Sequence, residues 1–144
     1  MSTMKEVWND DDFDVMGWHD CRLYALKLLD EDFSMALDID YIFEWVKSEE
    51  KFRFFVSPCV LKFLSVSHLR LNIDHGQNLL CFISEIRRSN RRFSPNGLVH
   101  IWDYEVELDI GTINFTCTGF EQKVMAPPKL IDGQDLNREL LVLS

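Results

Sequence analysis

Apolar and polar residues alternate along most of this chain with a period of two, the pattern of strands that bury one face. Over residues 35–46 the odd positions Met35, Leu37, Ile39, Tyr41, Phe43 and Trp45 are apolar, while Asp38, Asp40 and Glu44 sit at even ones. The spacing predicts one long strand with an apolar face and an acidic face. Residues 98–109 repeat the device, with His100, Trp102, Tyr104, Val106 and Leu108 set against Asp103, Glu105, Glu107 and Asp109. Gly111 is free to take a positive φ, so a hairpin turn is expected at 109–112, returning through Ile113, Phe115 and Cys117. A second turn at 30–34 separates a strand over 21–29 from the strand that begins at Met35.

Elsewhere the signal is shorter. Residues 52–56, 60–64 and 69–74 predict brief strands, with Ser57-Pro58 separating the first two, because proline supplies no ladder N–H. His75-Gly76-Gln77-Asn78 reads as a turn. Residues 79–88 fit a strand through Leu79, Cys81 and Ile83, and also a helical stripe through Leu79, Phe82, Ile83 and Ile86; the strand is preferred, since an Arg-rich loop over 89–97 and another strand follow. Ala126-Pro127-Pro128 ends the sheet region, and residues 132–140 carry the local signal for a short helix. The expected fold is mainly β, antiparallel, a sandwich or partly open barrel forming a single domain over 1–144, with 1–12 a flexible acidic segment.

Composition supports a packed domain: 144 residues, 47% of them hydrophobic, suit one core. No apolar run approaches the roughly 18 residues of a membrane span, and the start Met1-Ser2-Thr3-Met4-Lys5-Glu6 lacks the basic-then-apolar order of an export signal. A cytoplasmic protein with no membrane contact is expected. Charge then sharpens the picture. The net charge is −9, but residues 1–50 hold four bases against fourteen acids, net −10, and the remainder is at +1. The densest acidic piece is Asn9-Asp10-Asp11-Asp12-Phe13-Asp14, and the densest basic piece is Arg87-Arg88-Ser89-Asn90-Arg91-Arg92. Such a surface attracts basic partners and disfavours nucleic acid.

Chemistry is thin by comparison. Cys21, Cys59, Cys81 and Cys117 lack the close spacing of metal or redox motifs and sit among apolar residues, so reduced core thiols are expected. Trp18-His19-Asp20 is a possible polar site in which a carboxylate holds an imidazole, provided that a bend, with Gly17 as the candidate, brings neighbouring side chains together. A small metal-dependent hydrolase built on His19 and Asp20, recruiting His68, His75 or His100, is one alternative function; a β-barrel enclosing a small apolar ligand is another. Asp38 and Asp40, about 7 Å apart on one strand face, have a spacing that suits glycoside hydrolysis or a cation, but equally a solvated acidic face. Arg87, Arg88, Arg91 and Arg92 are candidate anion contacts or a solvated loop paired with the protein's own acids. No catalytic residue, metal ligand or cofactor is assigned.

The segments Trp18-His19-Asp20-Cys21, Leu37-Asp38-Ile39-Asp40-Tyr41-Ile42 with Glu44-Trp45, and Val60-Leu61-Lys62-Phe63 followed by Leu69-Arg70-Leu71-Asn72-Ile73-Asp74 resemble, over residues 13–75, small uncharacterised bacterial proteins similar to the β-rich immunity proteins of polymorphic toxin systems. The resemblance implies a cytosolic antitoxin-like binder and carries over no catalytic residue. The functional expectation is a non-enzymatic acidic binding protein, with Asp10, Asp11, Asp12, Asp38, Asp40 and Glu44 meeting a basic protein surface such as that of a toxin domain.

Overall fold

The computed structural model describes residues 5–28, 30–49, 51–74, 76 and 80–136. Its elements run β1 (Val7–Asn9), a 3-10 helix (Asp10–Val15), β2 (Arg22–Lys27), β3 (Met35–Ser48), β4 (Lys51–Leu64), β5 (Ser67–Ile73), β6 (Ile83–Phe93), β7 (His100–Leu108), β8 (Gly111–Cys117), β9 (Gly119–Val124) and β10 (Lys129–Ile131). They form two antiparallel sheets. One has the order β1-β9-β4-β3-β2, with β10 also paired to β4, and the other the order β5-β8-β7-β6. The architecture is a β sandwich, as the period-two pattern predicts. The sheets meet at one corner, where Asp20 and Leu23 N–H groups donate to Ile83 and Cys81, and Ile83 N–H donates to Cys21. They are not closed into a barrel.

Both predicted hairpins form. Phe33 N–H donates to Asp30 O in the turn between β2 and β3. Gly111, at φ 151°, connects β7 to β8, and a Cβ there would stand 2.0 Å from Asn72 O, so the position requires glycine for close approach as well as for conformation. Between the sheets lies an aromatic core. Phe63 of β4 meets Phe115 of β8 at 4.7 Å between ring centroids, Tyr104 of β7 stacks on Phe115 at 5.5 Å, and Trp18 meets Phe120 of β9 edge-on at 5.7 Å.

Four local expectations change. The long strand is β3, but a bulge between Ile42 and Glu44 inserts an extra residue. Side chains beyond it therefore exchange faces, so Trp45 lies opposite Phe54 on the face of Asp40 and Ile42 rather than with Leu37 and Ile39. That face is not simply solvated: Asp40 is fully buried and Ile42 nearly so. Residues 51–64 form one strand, not two. Pro58 is accommodated because β4 changes neighbour around it, pairing β10 over 54–56 and β9 over 59–64. Pro58 O accepts from Met125 N–H in that gap, so the missing N–H faces the chain between β9 and β10, where no ladder bond is due.

The Arg-rich segment is strand as far as Phe93, leaving a loop only over 94–99. Its ladder with β7 keeps it extended, and its carboxylate partners, described below, lie on β6, β7 and the 3-10 helix. Residues 132–135 are bends rather than helix. Residues 137–140 of that expected helix lie outside the described residues, as do Leu79 of the ambiguous segment, and His75, Gln77 and Asn78 of the expected turn. Within the acidic segment 1–12, residues 7–9 are β1 and 10–12 open the 3-10 helix. Residues 1–4 are not described.

Candidate functional site

The acidic start of the chain folds by capping. Asn9 accepts the Asp11 N–H through its side chain at 3.0 Å, and Asp12 reaches back to the Asn9 N–H at 2.9 Å, a reciprocal box that fixes the first turn. Lys5 donates to Asp12 at 2.7 Å, and this bond holds the Asp12 carboxyl below its ordinary range. Phe13 then points inward, 5.6 Å from Trp18 and edge-on to Tyr104 at 6.2 Å.

Arg88 clamps this helix to the second sheet. Its guanidinium lies 4.1 Å from the Phe13 ring centroid and 4.0 Å from that of Trp102, and it donates to the Asp10 carboxylate and to Tyr104 Oη at 3.2 Å. The side chain is only 11% exposed. Burial pushes the Tyr104 phenol upward. Arg87, one residue away, points out to solvent and meets Glu85 at 2.5 Å, Glu107 at 3.2 Å and Glu105, which together stabilise its charge. Arg92 meets Asp103 at 3.1 Å. Asn90, Thr116 and Arg92 all donate to Asp103, the Asn90 bond foremost, and lower its carboxyl below the usual range. Three of the four candidate anion-binding arginines are thus engaged by the protein's own acids. Arg91, exposed and 5.6 Å from the Trp102 ring, pairs with no carboxylate among the described residues.

Beside the helix, two adjoining depressions of about 500 and 420 Å³ share Phe13, Glu85 and Ile86 and run along the edge of β6. His19 stands at one end. Its Nε2 lies 3.3 Å from Asp20 Oδ2 and its Nδ1 2.9 Å from Ser84 O. The two neighbours do meet, and the bend is at Asp20 itself, with φ 65°, rather than at Gly17. Asp20 also accepts from Gln134 Nε2 at 3.1 Å, while Trp18 is core, its indole donating to Gln122 at 2.8 Å. His68 and His100 do not join His19, and among the described residues no three His, Cys, Asp or Glu side chains are grouped to hold a metal ion. Cys21, Cys59 and Cys117 lie in the core, and burial pushes the Cys21, Cys81 and Cys117 thiols up to about 12.

On the outer face of the larger sheet, Asp40 accepts from Tyr24 Oη at 2.5 Å and from the Leu136 N–H at 2.7 Å. Arg22, equally buried, lies 4.4 Å from the Tyr24 ring and meets Asp135 at 3.3 Å. These contacts fasten residues 134–136 across β2 and β3 and seal Asp40. Asp38 is half-buried and Glu44 exposed. Tyr24 and the Leu136 N–H were not legible as partners of Asp40, nor Asp135 as the partner of Arg22; the available signal was that Arg22 and Tyr24 are two apart in a strand next to an acid whose own neighbour, Ile42, is apolar.

No protein-family model, curated protein or solved structure matches the chain. Among the described residues no helix is long and apolar enough to cross a membrane. The six acids expected to face a partner divide by environment. Asp10, Asp12 and Asp40 are engaged within the fold and Asp38 is half-buried, whereas Asp11 and Glu44 are exposed and form no ion pair among the described residues. Asp14 belongs with Asp11: it is exposed, lines the smaller depression, and precedes Val15, which is 78% exposed.

Proposed function

We propose that this chain is a non-enzymatic, cytoplasmic binding protein that recognises a basic protein surface, in the manner of an immunity protein masking a toxin. The observation that carries the reading is the acidic corner. A capping box, the Lys5 contact and the Arg88 clamp hold the 3-10 helix rigid, and that helix presents Asp11 and Asp14 outward beside exposed Val15 and an open groove. Preordered carboxylates lose little entropy on binding, and an apolar centre with a charged rim is the composition of a protein-binding patch. Uncommitted acids also steer a cationic partner towards the patch before contact.

Affinity capture from the native host at low and at moderate salt tests the reading. A basic partner retained at low salt and progressively released as salt rises is the expected result. Failure to recover any basic partner at either ionic strength contradicts it. Finding a secreted toxin encoded beside this chain's gene would give the partner to be tested directly.

A further inference from the structure

Open strands are where a sandwich can add to itself, and proteins usually blunt them. Here β1 is three residues long, β2 is bulged between Leu23 and Ala25, and β6 is bulged twice and carries four arginines. The edge at β5 differs. Beyond an irregularity at Ser67–Arg70 its pairing with β8 is regular from Arg70 to Ile73, and no described strand pairs its outer side. Leu71 and Ile73 are 45% and 41% exposed, although Ile113, directly opposite Leu71, is fully buried.

Two contacts fix the polarity of this edge. The Asn72 carbonyl faces β8, since it occupies the space where a Gly111 Cβ would stand, and Asp74 N–H donates to Ile110 O at 2.9 Å. Alternation therefore turns the N–H and C=O groups of Leu71 and Ile73 away from β8 towards solvent. Side chains alternate as well: Leu69, Leu71 and Ile73 share the face of Ile113, and Arg70, Asn72 and Asp74 share the other, all three exposed. Arg70 pairs with no carboxylate among the described residues.

We propose that two copies of the chain associate through β5, antiparallel about a two-fold axis at Asn72. Read outward from that residue, the strand is complementary to itself. Leu71 meets Ile73 of the second copy, Arg70 meets Asp74 of the second copy, and Asn72 meets its own counterpart. The residues with outward backbone groups are the ones that face each other, so Leu71 and Ile73 exchange four hydrogen bonds over the two symmetric pairs. Arg70 and Asp74 fall in the closer, non-hydrogen-bonded positions, where opposite charges attract across the strands. The four-stranded sheet becomes continuous with its copy, and the apolar side chains of Leu71 and Ile73 cover one another. Because the same patch serves both copies, growth stops at the dimer. The acidic corner takes no part in this contact, so the dimer stands or falls separately from the proposed function.

Sedimentation velocity of the full chain over a wide concentration range tests the assignment. The wild type is expected to shift from one to two chain masses as concentration rises. Arg70→Asp and Asp74→Arg each place like charges opposite one another at two positions and should weaken association at least about tenfold. The double variant restores opposite charges and should dimerise again. Mixing the two single variants should give a heterodimer, because Asp at 70 and 74 in one then faces Arg at 70 and 74 in the other. That mixture supplies its own folding control, since chains that had not folded would not pair. A wild type that stays monomeric, a dimer indifferent to either reversal, or a mixture that fails to associate would overturn the proposal.

Discussion

Arg87 and Arg88 are adjacent in sequence and opposite in consequence. Arg87 lies on the exposed face among three glutamates, where a high dielectric and side-chain entropy leave ion pairs worth little. Arg88 is nearly sealed between two aromatic rings and Asp10. Its removal strands a part-buried carboxylate and empties the space between Phe13 and Trp102. Chemical denaturation should therefore report a loss of about 3 kcal/mol for Arg88→Ala and a much smaller loss for Arg87→Ala. Equal losses would show that Arg88 is not the clamp. Sequence could name the cluster and offer pairing with the protein's own acids as one reading, but not say which arginine is sealed, because alternation along β6 is visible only once the segment is known to be strand.

Acid sensitivity also belongs at this scale. Asp12 and Asp103 are held below their ordinary carboxylate range by Lys5 and by Asn90, Thr116 and Arg92, respectively. The folded state thus takes up protons at these sites less readily than the unfolded chain. The corresponding stability is fully present above the unfolded value of about 4 and is lost as pH falls through the lower folded values. Asp103→Asn should lower stability at neutral pH and flatten the acid limb of a stability-against-pH curve. A curve parallel to that of the wild type would contradict the assignment.

Elements were legible wherever alternation ran unbroken. β3, β7, β8 and the turns at 30–34 and 109–112 follow directly from period-two spacing and turn chemistry. Reading failed where one residue altered the count or the partner. The bulge at Ile42–Glu44 moves Trp45 to the other face, and nothing in the alternation of 35–46 announces it. Pro58 looked like a break because a lone strand cannot show that its neighbour changes from β9 to β10 at that point. The 3-10 helix had a readable signal in the Asn9 and Asp12 spacing of a capping box, masked by the run of acids around it. Gly111 is the element-level test. Its Cβ space is filled by the Asn72 carbonyl, so Gly111→Ala should cost about 3 kcal/mol or more and disturb β5 as well as the β7–β8 turn. Thermal unfolding close to that of the wild type would mean that this approach is not as close as described.

Across the whole molecule, the excess of acid in the first third has two different uses. Asp10, Asp12 and Asp40 fasten the 3-10 helix to Arg88 and Lys5 and the 134–136 segment to the outer sheet face. Asp11 and Asp14 are left facing solvent on a helix that those contacts fasten in place. Net charge alone does not separate these roles, since buried and exposed carboxylates count alike until partners are known. The division makes the proposed function separable from the fold: neutralising Asp11 and Asp14 should leave folding intact and remove recognition. The direct measurement is capture of the basic partner by the wild type and by the Asp11→Asn/Asp14→Asn variant side by side, with thermal unfolding of both. Unchanged unfolding with capture reduced at least about tenfold is the predicted result, about 1.4 kcal/mol or more for the pair of carboxylates. Equal capture by the two proteins would contradict the account.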